Sequence, residues 1–281
     1  MNILFNSKFL PHNPGSFAEG PYRIESFLHQ AEEVDRDGAE YITLVHSKDH
    51  LESVRTACYK GDVLAEVNLS PLSFEAACSA VGLSVLAAEQ GDFAVVRPPG
   101  HHAKVQRADG FCLFNNLAIA SQKLVHEGKK VFILDIDGHH GDGTQQIFYR
   151  SDQVLYCSIH QQYAYPGSGF SDETGEGPGK GFTMNFPLSA GSGDQELLEA
   201  VILAIERAKK FKPDVVGVSA GFDGFREDRL LDLQYTLEGY YQCGKKLSEA
   251  FEHIFAVLEG GYHMQIKECT EQFIRGVHAT S

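Results

Sequence analysis

The sequence has no C-x-x-C pair, no long uncharged apolar run and no excess of positive charge. Its six cysteines, Cys58, Cys78, Cys112, Cys157, Cys243 and Cys269, are scattered, which points to reduced and mostly buried thiols in a cytoplasmic setting. No segment approaches the roughly eighteen uncharged apolar residues of a bilayer crossing. The opening residues, MNILFNSKFLPHNPG, turn polar and proline-bearing after a short apolar run, so neither a membrane span nor a signal peptide is expected. With 24 Lys+Arg against 38 Asp+Glu, the formal charge is −14. That deficit argues against phosphate-backbone binding, and hence against a nucleic-acid partner, because such binding needs clustered cations. The same charge would attract a cationic substrate, although acidity also serves solubility.

What is present is the pattern of a single α/β domain over 1–281. At 281 residues and 43% hydrophobic content, the chain can bury a large core. Short β-branched and apolar runs recur: NILF near 3, YITLV at 41, FAVVR at 93, KVFILDID at 130, VLYCSIH at 154, FTMNFPL at 182, DVVGVSA at 214 and IFAVLEGG at 254. Helical patterns fall between them at 73–90, 115–127, 195–210 and 236–252. This alternation predicts a mostly parallel sheet of about eight strands with helices on both faces. The Gly/Pro-punctuated stretch 166–181 is expected to be a long loop inside that domain.

Polar residues collect directly after four of the expected strands. His101 and His102 follow FAVVR in RPPGHHA, DIDGHHGDG closes KVFIL, GFDG follows VVGVSA, and GGYH follows FAVLE. Ligands of open parallel sheets bind beyond the carboxyl ends of strands, so these four loops should meet in one crevice. Asp135, Asp137 and His139 alternate at a strand end, where residues two apart share a face. An aspartate beside a histidine suits a divalent metal, and Asp223 is the best third ligand, leaving a position open to water. Pro98 and Pro99 stiffen the turn that presents the two imidazoles. Near a metal, such a pair can take a proton from water and return it to a leaving amine, each ring oriented by a carboxylate. Asp135 and Asp142 are spare for that purpose, and Tyr262 can donate to an oxyanion. Surface accident and amphipathic strand-end tyrosine are the alternative readings of the imidazole pair and of Tyr262.

Together these residues resemble the histone deacetylase superfamily, which includes acetylpolyamine amidohydrolases and bacterial and archaeal relatives. RPPGHHA, GFCLFNN, DIDGHHGDGTQQIF, YPGSG, SAGFD and EGGY occur in family order between about Arg97 and Tyr262. The resemblance implies an arginase/deacetylase fold and metal-dependent amide hydrolysis that releases acetate from an acetylated amine. It implies Asp137, His139 and Asp223 as ligands of Zn2+, or of Fe2+, and His101 and His102 as the acid/base pair supported by Asp135 and Asp142. Tyr262 would polarise the scissile carbonyl. Phe111 and Tyr165 match the aromatic tunnel walls, the second usually a phenylalanine, with Gly110, Gly261 and Leu230 lining the substrate path. Arg23 matches an arginine of the internal acetate cavity. A structural K+ or Na+ would lie by Asp135, Asp137, His139, Ser158 and Ile159, and a second by Phe148, Ser151 and Val154.

The implied activity is a zinc-dependent deacylase acting on acetylated lysine, a peptide or a small acylated amine. An acetylpolyamine amidohydrolase is the nearest alternative, although the rim position where such enzymes tend to carry an acid is Leu230 here. An arginase-like ureohydrolase would need a two-metal cluster, and GFDGFRED lacks the D-x-D that this requires. A silent acyl-binding module would have no use for a proton-transferring pair. The nine remaining histidines besides His140, including His12, His46, His126, His160 and His263, are expected in structural or surface roles, and His140 in local support.

Overall fold

Hydrophobic burial on both sides of a sheet organises the computed structural model, which describes residues 1–16 and 18–280. Phe17 and Ser281, within the span expected as one domain, lie outside the described residues. The strands are β1 (Ile3–Phe5), β2 (Glu32–Glu33), β3 (Val63–Leu64), β4 (Val67–Asn68), β5 (Phe93–Ala94), β6 (Val131–Asp135), β7 (Val154–Gln161), β8 (Thr183–Leu188), β9 (Val215–Ala220) and β10 (Ile254–Leu258). Eight of them form one sheet in the order β2-β1-β5-β10-β9-β6-β7-β8, every neighbouring pair parallel. The pair β3 and β4 is a separate antiparallel hairpin. All five residues of β6 are buried, so side chains alternating to opposite faces are covered on each.

The helices are α1 (Tyr22–Glu25), α2 (Lys48–Lys60), α3 (Pro71–Gln90), α4 (Asn116–His126), α5 (Asp142–Phe148), α6 (Asp194–Phe211), α7 (Leu237–Ser248) and α8 (Ile266–Val277). Helices α2, α3 and α4 pack as one group, and α6, α7 and α8 as another. Among the described residues α3 alone is long and apolar enough to cross a membrane, yet 67% of that window is buried inside the protein, as in a core helix. It begins with Pro71 at its first position, where a missing N–H costs nothing, and ends on Gly91 at φ 77°. All six cysteines are buried and free.

The run at 41–45 differs from expectation. It is a 3-10 segment, Ala39–Leu44, and the sheet edge next to β1 is taken by Glu32–Glu33. Gly38 sets this course: its N–H donates to Cys78 O (3.0 Å), and a Cβ there would lie 2.3 Å from Gly82 N on α3. The segment therefore lies against α3 and α4 rather than along a strand, and tertiary packing outweighs β-propensity. The stretch 166–181 is a loop between β7 and β8, as expected, with one 3-10 turn at Gly177–Gly179.

The strand order places the carboxyl ends of β5, β10, β9 and β6 side by side in the middle of the sheet. Around this crevice lie buried neutral histidines. His46 accepts the Asn115 N–H (2.9 Å) and donates through Nδ1 to Lys104 O (3.0 Å). His160 donates to Gly169 O (3.0 Å) and meets Ser158 Oγ (2.9 Å) through its other nitrogen. Burial, followed by the neighbouring histidines His50 and His140 respectively, pushes each down to about 3. An unfolded chain takes up these protons near its ordinary pKa of about 6.5, whereas the folded chain resists them, so the stabilisation is present above that value. His12 and His102, lowered to about 4, add to this uptake, whereas Asp223 and Glu259, raised to about 7, give up protons on unfolding. Stability of the metal-free protein should therefore fall from pH 6.5 towards pH 4.5 with a net uptake of about two protons, four histidines less two carboxylates. Urea unfolding followed across that range measures the uptake, and a flat profile between pH 6.5 and 4.5 would refute it.

Candidate metal and proton-transfer site

Backbone amides and missing side chains seat the acidic residues at the centre of the crevice. Asp137 Oδ2 accepts the Gly260 N–H (2.7 Å), and Asp223 Oδ1 accepts the Gly138 N–H (2.5 Å). Two glycines make room for the carboxylates: a Cβ on Gly221 would lie 1.9 Å from Asp137 Oδ2, and one on Gly260 would lie 2.5 Å from Asp223 Oδ2 and 2.6 Å from Asp137 Oδ2. Any side chain at either position would fill that space.

Asp137, His139 and Asp223 each place a ligand atom within 4.8 Å of the others. His139 Nδ1 is 2.7 Å from Asp223 Oδ2 and 3.3 Å from Asp137 Oδ1. Burial works to lower the His139 pKa, but Asp223 and Asp137 raise it to about 10. Burial, and then the Asp137 charge, push Asp223 up to about 7. Two buried carboxylates competing for one imidazole proton form a donor set short of positive charge. A divalent cation supplies that charge, and the mixed N/O ligation suits zinc or ferrous iron. The residues present thus fit a metal.

The adjacent imidazoles are held by different partners. His101 Nδ1 lies 3.2 Å from Asp135 Oδ2, and His102 Nδ1 lies 2.8 Å from Asp142 Oδ1, with the ring centroids 4.0 Å apart. Asp135 also accepts from the Tyr156 hydroxyl (3.0 Å), while Asp142 is paired with Lys104 Nζ (2.6 Å). Burial opposes charge on His101, yet Asp137 and Asp135 raise its pKa well above the ordinary value. Burial, followed by the His101 charge, lowers His102 to about 4. The surroundings therefore favour a proton on His101 and the neutral form of His102.

Tyr262 stands at the end of the β10 loop, after Gly261 at φ 120°. The Arg23 guanidinium lies 4.9 Å from its ring centroid and donates to Gly261 O (2.6 Å) and Glu259 O (2.5 Å). Its ring meets Phe111 edge-on at 6.0 Å. Gly110 and Phe111 both have left-handed φ, 50° and 67°. The Tyr165 ring stands 5.0 Å from His102 and 6.4 Å from His139. Leu230 is 49% exposed on the rim, whereas Leu231 reaches the crevice, its Cδ1 only 2.3 Å from where a Gly138 Cβ would lie. Asp135 and Ser158 are register partners on β6 and β7, with Ile159 next along β7. Phe148, Ser151 and Val154 lie together in the turn from α5 into β7, where Ser151 N–H donates to Phe148 O (2.9 Å).

Three further residues serve the crevice without having been singled out by motif. Glu259, wholly buried, accepts the N–H groups of Gly100 (2.7 Å) and His101 (3.0 Å), holding the imidazole turn. Asp228 accepts the N–H groups of Tyr262 (2.6 Å) and Leu230 (2.8 Å), tying the rim to the tyrosine. Tyr156 orients Asp135. An acid closing the apolar run IFAVL could have flagged Glu259; nothing local marks the other two.

The histone deacetylase domain family matches residues 20–277 of the chain. A probable deacetylase of Archaeoglobus fulgidus is 34% identical over 294 aligned residues, covering 94% of this chain and 81% of that protein. The acetylpolyamine amidohydrolase of Mycoplana ramosa is 32% identical over 296 residues, covering 87% of each. Among solved structures, the HD domain of HDA15 superposes with a TM-score of 0.90 at 32% identity, over 98% of this chain and 90% of that one.

The donor set generates a direct test. Asp137→Ala and Asp223→Ala are each expected to abolish stoichiometric retention of a divalent ion, measured by elemental analysis after dialysis, because either change leaves two ligands. Full occupancy in both variants would remove the assignment.

Proposed function

From the premise that the chain belongs to the histone deacetylase family and is an amidohydrolase of acylated amines, we propose that it is a zinc-dependent deacylase of acetyl-lysine or short acylated amines. The observation that carries this reading is the juxtaposition of two carboxylate-oriented imidazoles with the Asp137–His139–Asp223 donor set. Asp137, His139 and Asp223 would hold the zinc, which would supply polarisation of the amide carbonyl and acidification of a water.

The chain's own residues move the protons. Asp142 fixes the Nδ1–H tautomer of His102, leaving Nε2 basic, so His102 takes a proton from the water as its oxygen attacks the acyl carbon. His101, oriented by Asp135, turns its other ring nitrogen towards Asp137 and lies beside the developing negative charge. Tyr262, its backbone and ring fixed by Asp228, Arg23 and Phe111, donates its hydroxyl proton in a hydrogen bond to the carbonyl oxygen. The C–N bond then breaks with proton transfer to the leaving amine, giving free amine and acetate. Phe111 and Tyr165 flank the substrate's alkyl chain, with Gly110 and Gly261 admitting close approach, and Arg23 faces the side on which acetate is released. A monovalent cation, K+ or Na+, bound by Asp135, Asp137, His139, Ser158 and Ile159 would stiffen the metal loop, and a second by Phe148, Ser151 and Val154 would brace the α5–β7 turn.

The acetylpolyamine amidohydrolase relative supports a second reading, hydrolysis of acetylated polyamines. The rim position favours the first: Leu230 is neutral, and the nearby acid Asp228 is buried and turned onto the N–H groups of Tyr262 and Leu230. A distant substrate ammonium meets no carboxylate at residue 230 itself.

Tyr262→Phe should keep metal and fold but lower kcat roughly 10²- to 10³-fold, the usual loss of one oxyanion donor. Near-normal turnover would reduce the tyrosine to a structural role. On substrate choice, acetyl-lysine peptides should be hydrolysed with kcat/KM at least equal to that for acetylspermidine or acetylputrescine. A strong preference for the acetylpolyamines that weakens with salt would favour the second reading.

A further inference from the structure

We propose that Asp109 and Tyr165 form a hydrogen-bonded brace across the entrance of the site, fixing its width, and that Asp109 and Lys104 are positioning residues tying this wall to His102. The inference rests on the reading of the crevice as an acylamine site and adds the shape of substrate it admits.

Tyr165 donates its hydroxyl to Asp109 Oδ1 at 2.7 Å. A phenylalanine at this position would have nothing to offer that carboxylate. Asp109 Oδ2 in turn lies 3.1 Å from Lys104 Nζ and 3.0 Å from Arg107, and Lys104 Nζ lies 2.6 Å from Asp142 Oδ2. The other Asp142 oxygen holds His102 Nδ1. A continuous polar chain thus runs from the aromatic wall through Asp109, Lys104 and Asp142 to the proton-transferring imidazole. The side chains of Asp109, Lys104 and Asp142 are 14%, 22% and 11% exposed, so solvent screens these contacts only partly.

The short loop that carries Asp109 has no slack. At Gly110, φ 50°, a Cβ would lie 2.6 Å from His102 Cδ2 and 3.0 Å from Tyr165 Cε1. The next residue, Phe111, takes a left-handed φ of 67°, unusual for a large side chain, and its N–H donates to Ala65 O (3.1 Å). Phe111 packs on Tyr262 while Asp109 grips Tyr165, so three consecutive residues set the spacing of both walls. A braced ring cannot swing aside for bulk. The substrate class that fits is a slender, unbranched acylated alkylamine, and branching close to the amide nitrogen is excluded.

The test uses Asp109→Ala, Tyr165→Phe, the double variant and Asp109→Asn, all metal-loaded. The readouts are kcat and KM for N-acetylpentylamine against N-acetylcyclohexylamine, and calorimetric Kd for a linear against a cyclohexyl hydroxamic acid. Wild type should prefer the linear member of each pair. In Asp109→Ala and Tyr165→Phe that preference should fall about tenfold, the scale of one hydrogen bond to a charged group. The double variant should lose no more than either single change, because the two side chains act as one unit. Asp109→Asn, which keeps an acceptor for the phenol, should retain most of the preference. Unchanged linear-to-branched ratios in the single variants, with or without a loss of thermal stability, would overturn the proposal, as would additive losses. Should wild type hydrolyse neither amide, the functional reading fails, while the hydroxamate ratios still decide the brace.

Discussion

Four carboxylates buried at the carboxyl ends of neighbouring strands are the constraint around which this molecule is built. Asp135, Asp137, Asp223 and Glu259 are at most 1% exposed, and an uncompensated buried ion costs roughly several kcal/mol. Their compensation explains much of the local architecture. Gly138 and Gly260 N–H groups, the N–H groups of Gly100 and His101, the Tyr156 hydroxyl and the imidazoles of His101 and His139 are all turned towards them. Even so, Asp223 and Glu259 are pushed up to about 7, Asp223 by burial and Asp137, Glu259 by burial against the pull of His101. A site so short of positive charge is a site prepared for a cation.

The same constraint separates the two imidazoles. His101 faces two buried carboxylates, Asp137 and Asp135, which raise its pKa against the effect of burial. His102 faces one carboxylate that Lys104 already neutralises in part, and sits beside a charged ring. An adjacent pair of identical side chains is thereby shifted in opposite directions by neighbours rather than by sequence position. Burial alone would have left both neutral.

The sequence disclosed the convergence of loops and little of its support. Strands β5 to β10 and helices α3, α4, α6 and α7 were legible because long periodic runs bounded by glycine and proline admit few readings. The segment at 41–45 was not, because its apolar pattern suits a strand and only the close contact of Gly38 with Gly82 turns it into a 3-10 segment. The candidate trio Asp137, His139 and Asp223 could be picked out because D-x-H and FD stand at strand ends, whereas which acid orients which histidine was implied only by the family resemblance. Glu259, Asp228, Lys104 and Asp109 act through partners distant in sequence, and no local spacing reveals a bond from residue 109 to residue 165.

Arg97 shows the same limit in the motif that is easiest to see. In RPPGHHA the prolines and histidines draw the eye, yet the arginine is wholly buried and clamps the amino-terminal segment. Its guanidinium donates to Glu19 through Nε (2.5 Å) and Nη2 (2.8 Å), and to Phe9 O (2.9 Å) and His12 O (3.0 Å). Glu19 is held below the usual carboxylate range, burial being outweighed by Arg97. It also accepts from Arg23 (3.2 Å), the residue that stacks on Tyr262. One buried Arg97–Glu19–Arg23 chain therefore connects the rigid turn that presents the imidazoles to the loop that presents the tyrosine. The imidazole turn and the tyrosine loop are thus kept in register by buried ion pairs and hydrogen bonds that run between them.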